Sequence, residues 1–223
     1  MSAAQAITFP LDGERSVSGL LIAPADARAL YVFAHGAGAG MTHPGMALVA
    51  EALAERGIAT LRFQFPYMEA GSKRPDAPKI AHAAVQAAVR EAGRLRPNLP
   101  LFAGGRSFGG RMTSQAQALE PLPGVRGLVF LGFPLHPSGK PSIERAAHLA
   151  DVSIPMLFLQ GEKDALAEPD LIKPVIAGLG ARASLVSFEG ADHSFRVPKK
   201  LAPAGGMEAA LADVAAGWMG RLS

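Results

Sequence analysis

The segment LFAGGRSFGGRM, residues 101–112, restricts the fold of this chain more than any other segment. It begins with a short apolar run that is typical of a buried strand. It continues with residues that have the spacing of a helix face, namely Met112, Gln115, Ala116 and Leu119. Between the two lies a G-x-S-x-G pattern, Gly105 to Gly109, centred on Ser107. Strand, glycine-flanked turn and helix together are typical of a nucleophile elbow. The segment therefore predicts a strained, exposed serine at a helix N-terminus, where backbone N–H groups favour negative charge.

Length and composition limit the possible folds and chemistries. The 223 residues suffice for one sizeable core, and we expect a single domain over residues 1–223. A hydrophobic content of 49% and a charged content of 18% are values of a globular protein. The chain contains no cysteine, which excludes disulfides, thiolate metal sites and a cysteine nucleophile. Covalent catalysis would therefore use an oxygen or nitrogen nucleophile.

Charge and hydropathy bear on partners and location. The net charge of +3 comes from 22 basic and 19 acidic residues without a long cationic run, so no nucleic-acid partner is expected. The N-terminal residues lack the basic start and apolar core of a signal peptide. The longest apolar stretches have the length of strands, far below a membrane span. We therefore expect a cytoplasmic protein that has a small-molecule substrate and no membrane association.

Apolar runs of strand length alternate with helical patterns along the chain. Strands are predicted at residues 7–9, 17–22, 31–34, 58–63, 101–103, 125–131, 155–159 and 183–188. Helices are predicted at residues 45–56, 79–96, after the elbow, at 169–179 and over a closing apolar stripe of Met207, Leu211, Val214 and Trp218. Residues 69–78 are predicted to be a polar loop. The alternation predicts an α/β fold with a mostly parallel, doubly wound sheet of about 7–8 strands, helices on both faces and an antiparallel hairpin at one edge.

A serine nucleophile needs a histidine base and an orienting carboxylate. The six candidates for the base are His35, His43, His82, His136, His148 and His193. His193 is favoured because it follows the last predicted strand, and ligands of parallel sheets bind at the carboxyl ends of strands. Asp164 follows the preceding strand and is favoured as the carboxylate. Asp192 is the rival, but a residue adjoining the base is poorly placed to accept its ring N–H.

The glycine-rich segment at residues 35–40 is interpreted as an oxyanion loop. Its glycines are in the wrong register for a dinucleotide-binding G-x-G-x-x-G, because Met41 occupies the position of the third glycine. We expect the backbone N–H groups of Ala37 and Phe108 to bind the oxyanion, with that of Gly38 in reserve. The elbow lacks the lysine of a phosphate-binding loop, and no metal-ligand spacing is present. No cofactor and no metal are expected.

The chain has no long insertion after residue 131, so a minimal cap is predicted, with the loops at 64–76 and 133–148 shaping the substrate pocket. Candidate pocket residues are His35, Phe65, Tyr67, Arg106, Phe133, Leu135 and His136. The apolar members suggest a partly apolar acyl site for short chains. Three arginines, Arg62, Arg106 and Arg111, have two interpretations: they pair with an acidic substrate group, or they brace loops through backbone carbonyls.

Several segments taken together resemble the α/β-hydrolase superfamily and its dienelactone hydrolase-like group. These segments are FAHGAGAGMTHP, LRFQFPYMEAG, FAGGRSFGGRM, LGFPLHPSGKP, LQGEKD and GADHSF, which span nearly the whole chain. More narrowly, they resemble a poorly characterised branch that includes a testis-expressed hydrolase-like protein and a chromatin-complex regulatory subunit. The resemblance implies an α/β-hydrolase fold with Ser107, Asp164 and His193 as the triad, in the chain order of that superfamily. Dienelactone hydrolases proper use a cysteine, from which this chain departs.

The sequence thus predicts a serine hydrolase that cleaves a carboxylic ester or thioester through an acyl-enzyme. Two alternatives stay open at this point. One is a catalytically silent binding module that keeps the hydrolase fold, as some members of the branch do. The other is an amidase or peptidase, which differs only in the leaving group. The residues do not determine the natural substrate or the oligomeric state.

Overall fold

Eight strands form one sheet in the computed structural model, which describes residues 3–223. The strands are β1 (Gln5–Pro10), β2 (Ser16–Ile22), β3 (Ala29–Ala34), β4 (Ile58–Phe63), β5 (Leu101–Arg106), β6 (Val125–Leu131), β7 (Met156–Gly161) and β8 (Ala183–Phe188). Their spatial order is β1-β2-β4-β3-β5-β6-β7-β8. β1 and β2 form an antiparallel hairpin at one edge, and β4, β3 and β5 to β8 are parallel neighbours. The predicted α/β sheet with its antiparallel edge is confirmed.

Helices cover both faces of the sheet. They are α1 (Pro44–Ala54), α2 (Pro66–Glu69), α3 (Pro78–Leu95), α4 (Phe108–Leu119), α5 (Pro169–Gly178) and α6 (Met207–Gly220). Three 3₁₀ helices span Glu144–Asp151, Gly180–Arg182 and Lys199–Leu201. α1 and α6 pack on one face, whereas α3, α4 and α5 pack on the other. None of the helices within residues 3–223 combines the length and hydropathy needed to cross a bilayer.

The central strands are apolar along their whole length because both of their faces are covered. In β3, Leu30 and Val32 point into the core beneath α3 and α4, whereas Tyr31 and Phe33 point into the core beneath α1 and α6. The Tyr31 hydroxyl, fully buried, donates to the carbonyl oxygen of Val129 at 2.8 Å. Alternation along one buried strand thus supplies two hydrophobic cores, which hold the carboxyl ends of the strands at one edge.

Three local predictions differ from the structure. Residues 66–69, at the start of the segment predicted as a loop, form the one-turn helix α2, which begins at a proline in the favoured first position. Leu119 does not share the buried face of α4: it is the last residue of that helix and is 76% exposed. In α6, Val214 is half-buried, while Leu211 and Trp218 are buried as predicted. Periodicity does not show where a helix ends, how deeply each residue of an apolar stripe is buried, or whether a loop contains a single helical turn.

Candidate active site

Ser107 occupies the turn between β5 and α4, with φ 50° and ψ −115°. This left-handed backbone conformation is strained for a residue with a side chain. The turn also passes very close to β3. A Cβ atom at Gly105 would lie 2.4 Å from the carbonyl oxygen of Ala34, and one at Gly109 would lie 2.5 Å from that of His35. Only glycine therefore fits at these two positions, and the tight turn leaves the Ser107 hydroxyl at the open edge of the sheet.

His193 and Asp164 extend from Ser107 in a continuous hydrogen-bonded relay. The Oγ atom of Ser107 lies 2.8 Å from Nε2 of His193, and Nδ1 of His193 lies 2.7 Å from Oδ2 of Asp164. The Asp164 side chain is fully buried, whereas that of His193 is 26% exposed. With an ionised carboxylate, Nδ1–H donates to Asp164 and Nε2 is left to accept the serine proton. The three side chains come from loops after β5, β7 and β8, so parallel strands bring them to one edge.

Further hydrogen bonds hold the Asp164 carboxylate in place. Oδ2 also accepts from Nε2 of buried Gln160 at 2.6 Å, and Oδ1 accepts from the backbone N–H of Leu166 at 2.8 Å. Gln160 in turn accepts from the backbone N–H of Phe133 at 2.9 Å. Sequence reasoning missed Gln160, since one glutamine near the end of a strand has no recognisable pattern. The Gln160 amide thus links the loop after β6 to the Asp164 carboxylate, which lies in the loop after β7.

Asp192, the rival carboxylate, organises the loop that carries the histidine. Its Oδ1 atom accepts from the backbone N–H groups of Ser194 at 2.8 Å and Arg196 at 2.9 Å. A second support comes from the elbow: Nη2 of Arg106 donates to the carbonyl oxygen of Ser194 at 2.7 Å. The Arg106 guanidinium also lies 5.9 Å from the ring centroid of Phe195. Asp192 and Arg106 therefore fix the position of His193 without touching its ring.

The glycine loop after β3 lies against the serine. A turn at residues 36–39 is closed by a 3.3 Å hydrogen bond from the N–H of Ala39 to the carbonyl oxygen of Gly36. Within residues 3–223, the N–H of Ala37 has no hydrogen-bond partner, while its carbonyl oxygen accepts from the Tyr67 hydroxyl at 2.8 Å. Phe108 is the first residue of α4, where N–H groups have no intrahelical acceptor. Both predicted oxyanion donors therefore have N–H groups next to the serine that are available to a ligand.

Two polar side chains of β4 and the segment after it anchor the far end of the glycine loop. Oε1 of Gln64 accepts from the N–H of Met41 at 2.9 Å, and Nη1 of buried Arg62 donates to the carbonyl oxygen of Met41 at 3.0 Å. Of the two interpretations of Arg62, the structure has the bracing one. Gln64 was not predicted, because its role depends on a contact across the sheet edge.

His35 is a buried support of the same loop. Nδ1 bonds to the carbonyl oxygen of Gly36 at 2.8 Å, so Nε2 accepts from the N–H of Phe65 at 3.1 Å. Burial lowers the pKa of His35 from 6.5 to about 4, which keeps the imidazole neutral at pH 7. The Tyr67 ring lies 6.0 Å away, and burial raises the pKa of its hydroxyl to about 12. Both groups are thus uncharged parts of the loop support.

Two clefts open beside Ser107. The first, here called the His193 cleft, has a volume of about 660 Å³ and includes on its walls His43, Arg106, His193, Arg196 and Glu208. The second, here called the Phe108 cleft, has a volume of about 380 Å³ and includes on its walls Asp76, Phe108, Arg111, Pro134 and Arg145. Ala37, Ser107 and Leu166 line both clefts. The loops at 64–76 and 133–148 contribute to the Phe108 cleft, and no inserted subdomain within residues 3–223 covers Ser107.

Most of the predicted pocket residues do not line either cleft. Arg106 does, but six others are buried in the interior: His35, Phe65, Tyr67, Phe133, Leu135 and His136. Phe65 packs edge-on against Phe108, and Phe133 packs against Phe158 on β7, with ring centroids 5.3 and 5.6 Å apart. The structure places these rings in the core beneath the site, and they line neither cleft.

The remaining histidines have structural contacts. The buried His136 ring bonds through Nε2 to Glu168 at 2.5 Å. His43 caps α1, with Nδ1 accepting from the N–H of Gly45 at 3.1 Å. His82 contacts Gln115 at 3.2 Å, and His148 contacts Ser114 at 2.8 Å. Among residues 3–223, no three His, Asp or Glu side chains come together as metal ligands would.

A mostly parallel sheet with a serine on a tight strand-to-helix turn, followed along the chain by Asp and His, defines the class of α/β hydrolases. Comparison with known families agrees: a family described as an alpha/beta hydrolase domain matches residues 27–217. This chain belongs to that family. The resemblance to the α/β-hydrolase superfamily inferred from sequence is thereby confirmed, and the narrower branch stays a prediction.

Several solved structures share this fold over almost the whole length of the chain. A dienelactone hydrolase from Anabaena variabilis has a TM-score of 0.78 at 23% identity, covering 99% of this chain and 98% of that one. A serine hydrolase homologue from Coxiella burnetii has a TM-score of 0.77 at 18% identity, with coverage of 98% and 99%. A serine hydrolase without a lid from Xanthomonas campestris has a TM-score of 0.73 at 21% identity, with coverage of 98% and 96%.

Proposed function

We propose that this protein is a serine hydrolase that cleaves a carboxylic ester or thioester through an acyl-enzyme. The observation that carries the proposal is the relay of two hydrogen bonds, 2.8 Å from Ser107 to His193 and 2.7 Å from His193 to Asp164. A serine hydroxyl is a poor nucleophile unless a base removes its proton, and the relay supplies that base in the required tautomer.

The reaction proceeds in two halves. Oγ of Ser107 bonds to the carbonyl carbon while its proton passes to Nε2 of His193. The C–O or C–S bond then breaks, and Nε2 returns the proton to the departing alcohol or thiol. Water, deprotonated by the same imidazole, attacks the acyl-enzyme, releases a carboxylic acid and restores Ser107. Asp164 stabilises the imidazolium formed in each half without taking its proton.

Backbone donors stabilise the oxyanion that forms in both halves. The N–H groups of Ala37 and Phe108 fill this role, with that of Gly38 as the neighbouring reserve. Both belong to main chain held rigidly, one by the Tyr67 hydroxyl bond to the Ala37 carbonyl and one by the start of α4. Preorganised donors of this kind typically contribute about 10²–10³ in kcat each.

The two clefts receive different parts of the substrate. His193 lines only the His193 cleft, and a leaving group must lie where Nε2 can protonate it. The alcohol or thiol therefore occupies the His193 cleft, and the acyl group extends into the Phe108 cleft. The short loops around the site suit substrates that are small on both sides of the scissile bond.

Covalent labelling tests the proposal. A fluorophosphonate probe is expected to label the wild type at Ser107 and to label neither Ser107→Ala nor His193→Ala. Ser184→Ala, a change on the exposed edge strand β8, serves as the matched control and keeps full labelling. A panel of esters, thioesters and amides with graded acyl chains then identifies the leaving group. Labelling that survives in Ser107→Ala, or a labelled enzyme that turns over none of these compounds, would contradict the proposal.

A further inference from the structure

We propose that the acyl group of the substrate carries a negative charge, and that Arg111 and Arg145 in the Phe108 cleft bind it. The substrate class is a half-ester or half-thioester of a dicarboxylic acid. This inference rests on the proposed function, because it concerns the acyl group of that reaction. It adds a binding site for the distal carboxylate to the site that holds the scissile carbonyl.

Neither arginine has a carboxylate or hydrogen-bond partner for its guanidinium group among residues 3–223. Arg15, Arg56 and Arg94 all pair with carboxylates at 2.6 to 2.7 Å. In contrast, the guanidinium groups of Arg111 and Arg145 form no ion pair and no hydrogen bond with any of residues 3–223. The Nε atom of Arg111 is buried without a hydrogen-bond partner. A buried donor that is left unpaired costs free energy, so a site that keeps one is suited to a ligand that pairs with it.

The positive charges of Arg111 and Arg145 reinforce each other. Arg111 and Arg145 line the same small cleft, and burial together with the Arg145 charge lowers the pKa of Arg111. An arginine nevertheless stays protonated at pH 7. The carboxylate of this cleft, Asp76, accepts from the backbone N–H of Tyr67 at 2.9 Å and pairs with neither arginine. The cleft therefore presents two guanidinium groups with which no carboxylate of residues 3–223 is paired.

Arg111 also lies close to the nucleophile along the chain and in space. Its backbone N–H donates to the carbonyl oxygen of Ser107 at 3.1 Å, so the two residues lie one turn apart on the same face of α4. The guanidinium lies 6.0 Å from the ring centroid of Phe108, whose N–H is a proposed oxyanion donor. Backbone positions one helical turn apart are about 5.4 Å apart along the axis, and both side chains line the Phe108 cleft. A short dicarboxylic acyl chain can therefore hold its ester carbonyl at Ser107 and its free carboxylate near Arg111.

The experiment compares two esters with the same leaving group and acyl chain length. One is the mono-4-nitrophenyl ester of adipic acid, and the other is 4-nitrophenyl hexanoate, which has a methyl group in place of the carboxylate. The wild type is expected to prefer the adipate ester in kcat/KM by about tenfold or more, the effect of one charge-assisted hydrogen bond. Arg111→Met and Arg145→Met are each expected to lower this preference about tenfold, and Arg111→Lys to lower it less.

Two controls isolate the acyl site. Arg90→Met removes the same charge from an exposed position on α3, away from both clefts, and is expected to leave the preference unchanged. An ester with the carboxylate on the alcohol, 4-(hexanoyloxy)benzoate, is expected to respond to Arg111→Met as the neutral hexanoate does. Since Arg145 lies on a 3₁₀ helix and not on α4, which follows the nucleophile, its variant remains informative if Arg111→Met does not fold.

The outcomes separate this inference from the function on which it rests. If Ser107 is labelled and hexanoate is cleaved, but the adipate ester is not preferred, the inference is wrong and the function stands. The inference is also wrong if the arginine variants slow both esters equally, since the guanidinium groups then only pack against Phe108. If Ser107 is not labelled and neither ester is cleaved, the proposed function has failed, and the inference fails with it.

Discussion

The two clefts each contain an arginine beside the nucleophile, yet the two side chains are held in opposite ways. Arg106, one residue before Ser107, donates to the Ser194 carbonyl at 2.7 Å and stacks on Phe195. Burial lowers the pKa of Arg106, while the negative charges of Glu208 and Asp192 act in the other direction. One donor of Arg106 is thus bonded within the protein, and two carboxylates act on its charge.

Arg111 differs from Arg106 both in its hydrogen bonds and in its charged neighbours. Its side chain donates to no atom of the described residues, and the charged group that acts on its pKa, besides burial, is another arginine, Arg145. The sequence alone gives Arg62, Arg106 and Arg111 the same two interpretations. Hydrogen-bond partners separate them: Arg62 and Arg106 each donate to a backbone carbonyl oxygen. Arg111 shares with Arg62 a buried Nε atom without a partner, but its side chain donates to none of residues 3–223 and lines a cleft. The hydrogen-bond partners of an arginine near a nucleophile therefore indicate whether it supports a loop or binds a substrate. Its distance from the serine does not distinguish these two roles.

The largest effect is expected for Asp164, which belongs to the catalytic machinery that all substrates share. Asp164→Asn should lower kcat about 10⁴-fold for the adipate and hexanoate esters alike, because an amide favours the wrong tautomer of His193. Steady-state kinetics at pH 7 measures this loss. Asp170→Asn, an exposed change in the first turn of α5, is the matched control and should retain activity. An Asp164→Asn enzyme within tenfold of the wild type would show that another group orients the base.

This shared machinery is also the part that the sequence predicts best. Ser107, Asp164 and His193 each follow a predicted strand, and parallel strands place their carboxyl ends together, so local patterns suffice to bring the three side chains within hydrogen-bond distance. Their catalytic roles stay a prediction. The same reasoning places Gly105 and Gly109 at positions where the structure leaves no room for a Cβ atom.

The walls of the clefts are predicted much less well. Phe65 and Phe133 follow strands just as the triad residues do, but their rings turn into the core. Residue type and strand position do not specify on which side of a loop a ring will pack, since both core and pocket accept an aromatic side chain. Arg145 has no sequence signal at all, because it reaches the Phe108 cleft from a 3₁₀ helix far along the chain.

A second shared component gives a prediction about pH. His35 has a pKa of about 4 in the folded protein against 6.5 ordinarily, so between these values the unfolded chain binds the extra proton. The free energy of unfolding should therefore fall by about 2–3 kcal/mol as the pH drops from 6.5 to 4, and be fully restored above 6.5. Denaturant titrations at several pH values measure the slope.

His35→Gln provides the comparison, since glutamine can accept from the N–H of Phe65 but does not titrate. The variant should show a flatter pH dependence than the wild type, and the difference isolates His35 from His148, whose pKa burial also lowers to about 4. Because the glycine loop rests on His35 and lines both clefts, acid should impair both esters together. Equal slopes for the wild type and His35→Gln would mean that the imidazole is not held neutral by burial.

The smallest effect distinguishes the two clefts most directly. Arg106→Met removes the hydrogen bond to the Ser194 carbonyl and loosens the loop that carries His193, and misplacement of a catalytic group slows every substrate. We expect kcat to fall about tenfold for the adipate and hexanoate esters alike, with their ratio unchanged, and Arg106→Lys to recover part of the loss. Arg111→Met is expected to do the reverse, changing the ratio far more than the rate for the neutral ester. A change of ratio in Arg106→Met would place the anion in the His193 cleft and reverse the assignment of the acyl and leaving groups, because Arg106 lines the His193 cleft and Arg111 lines the Phe108 cleft.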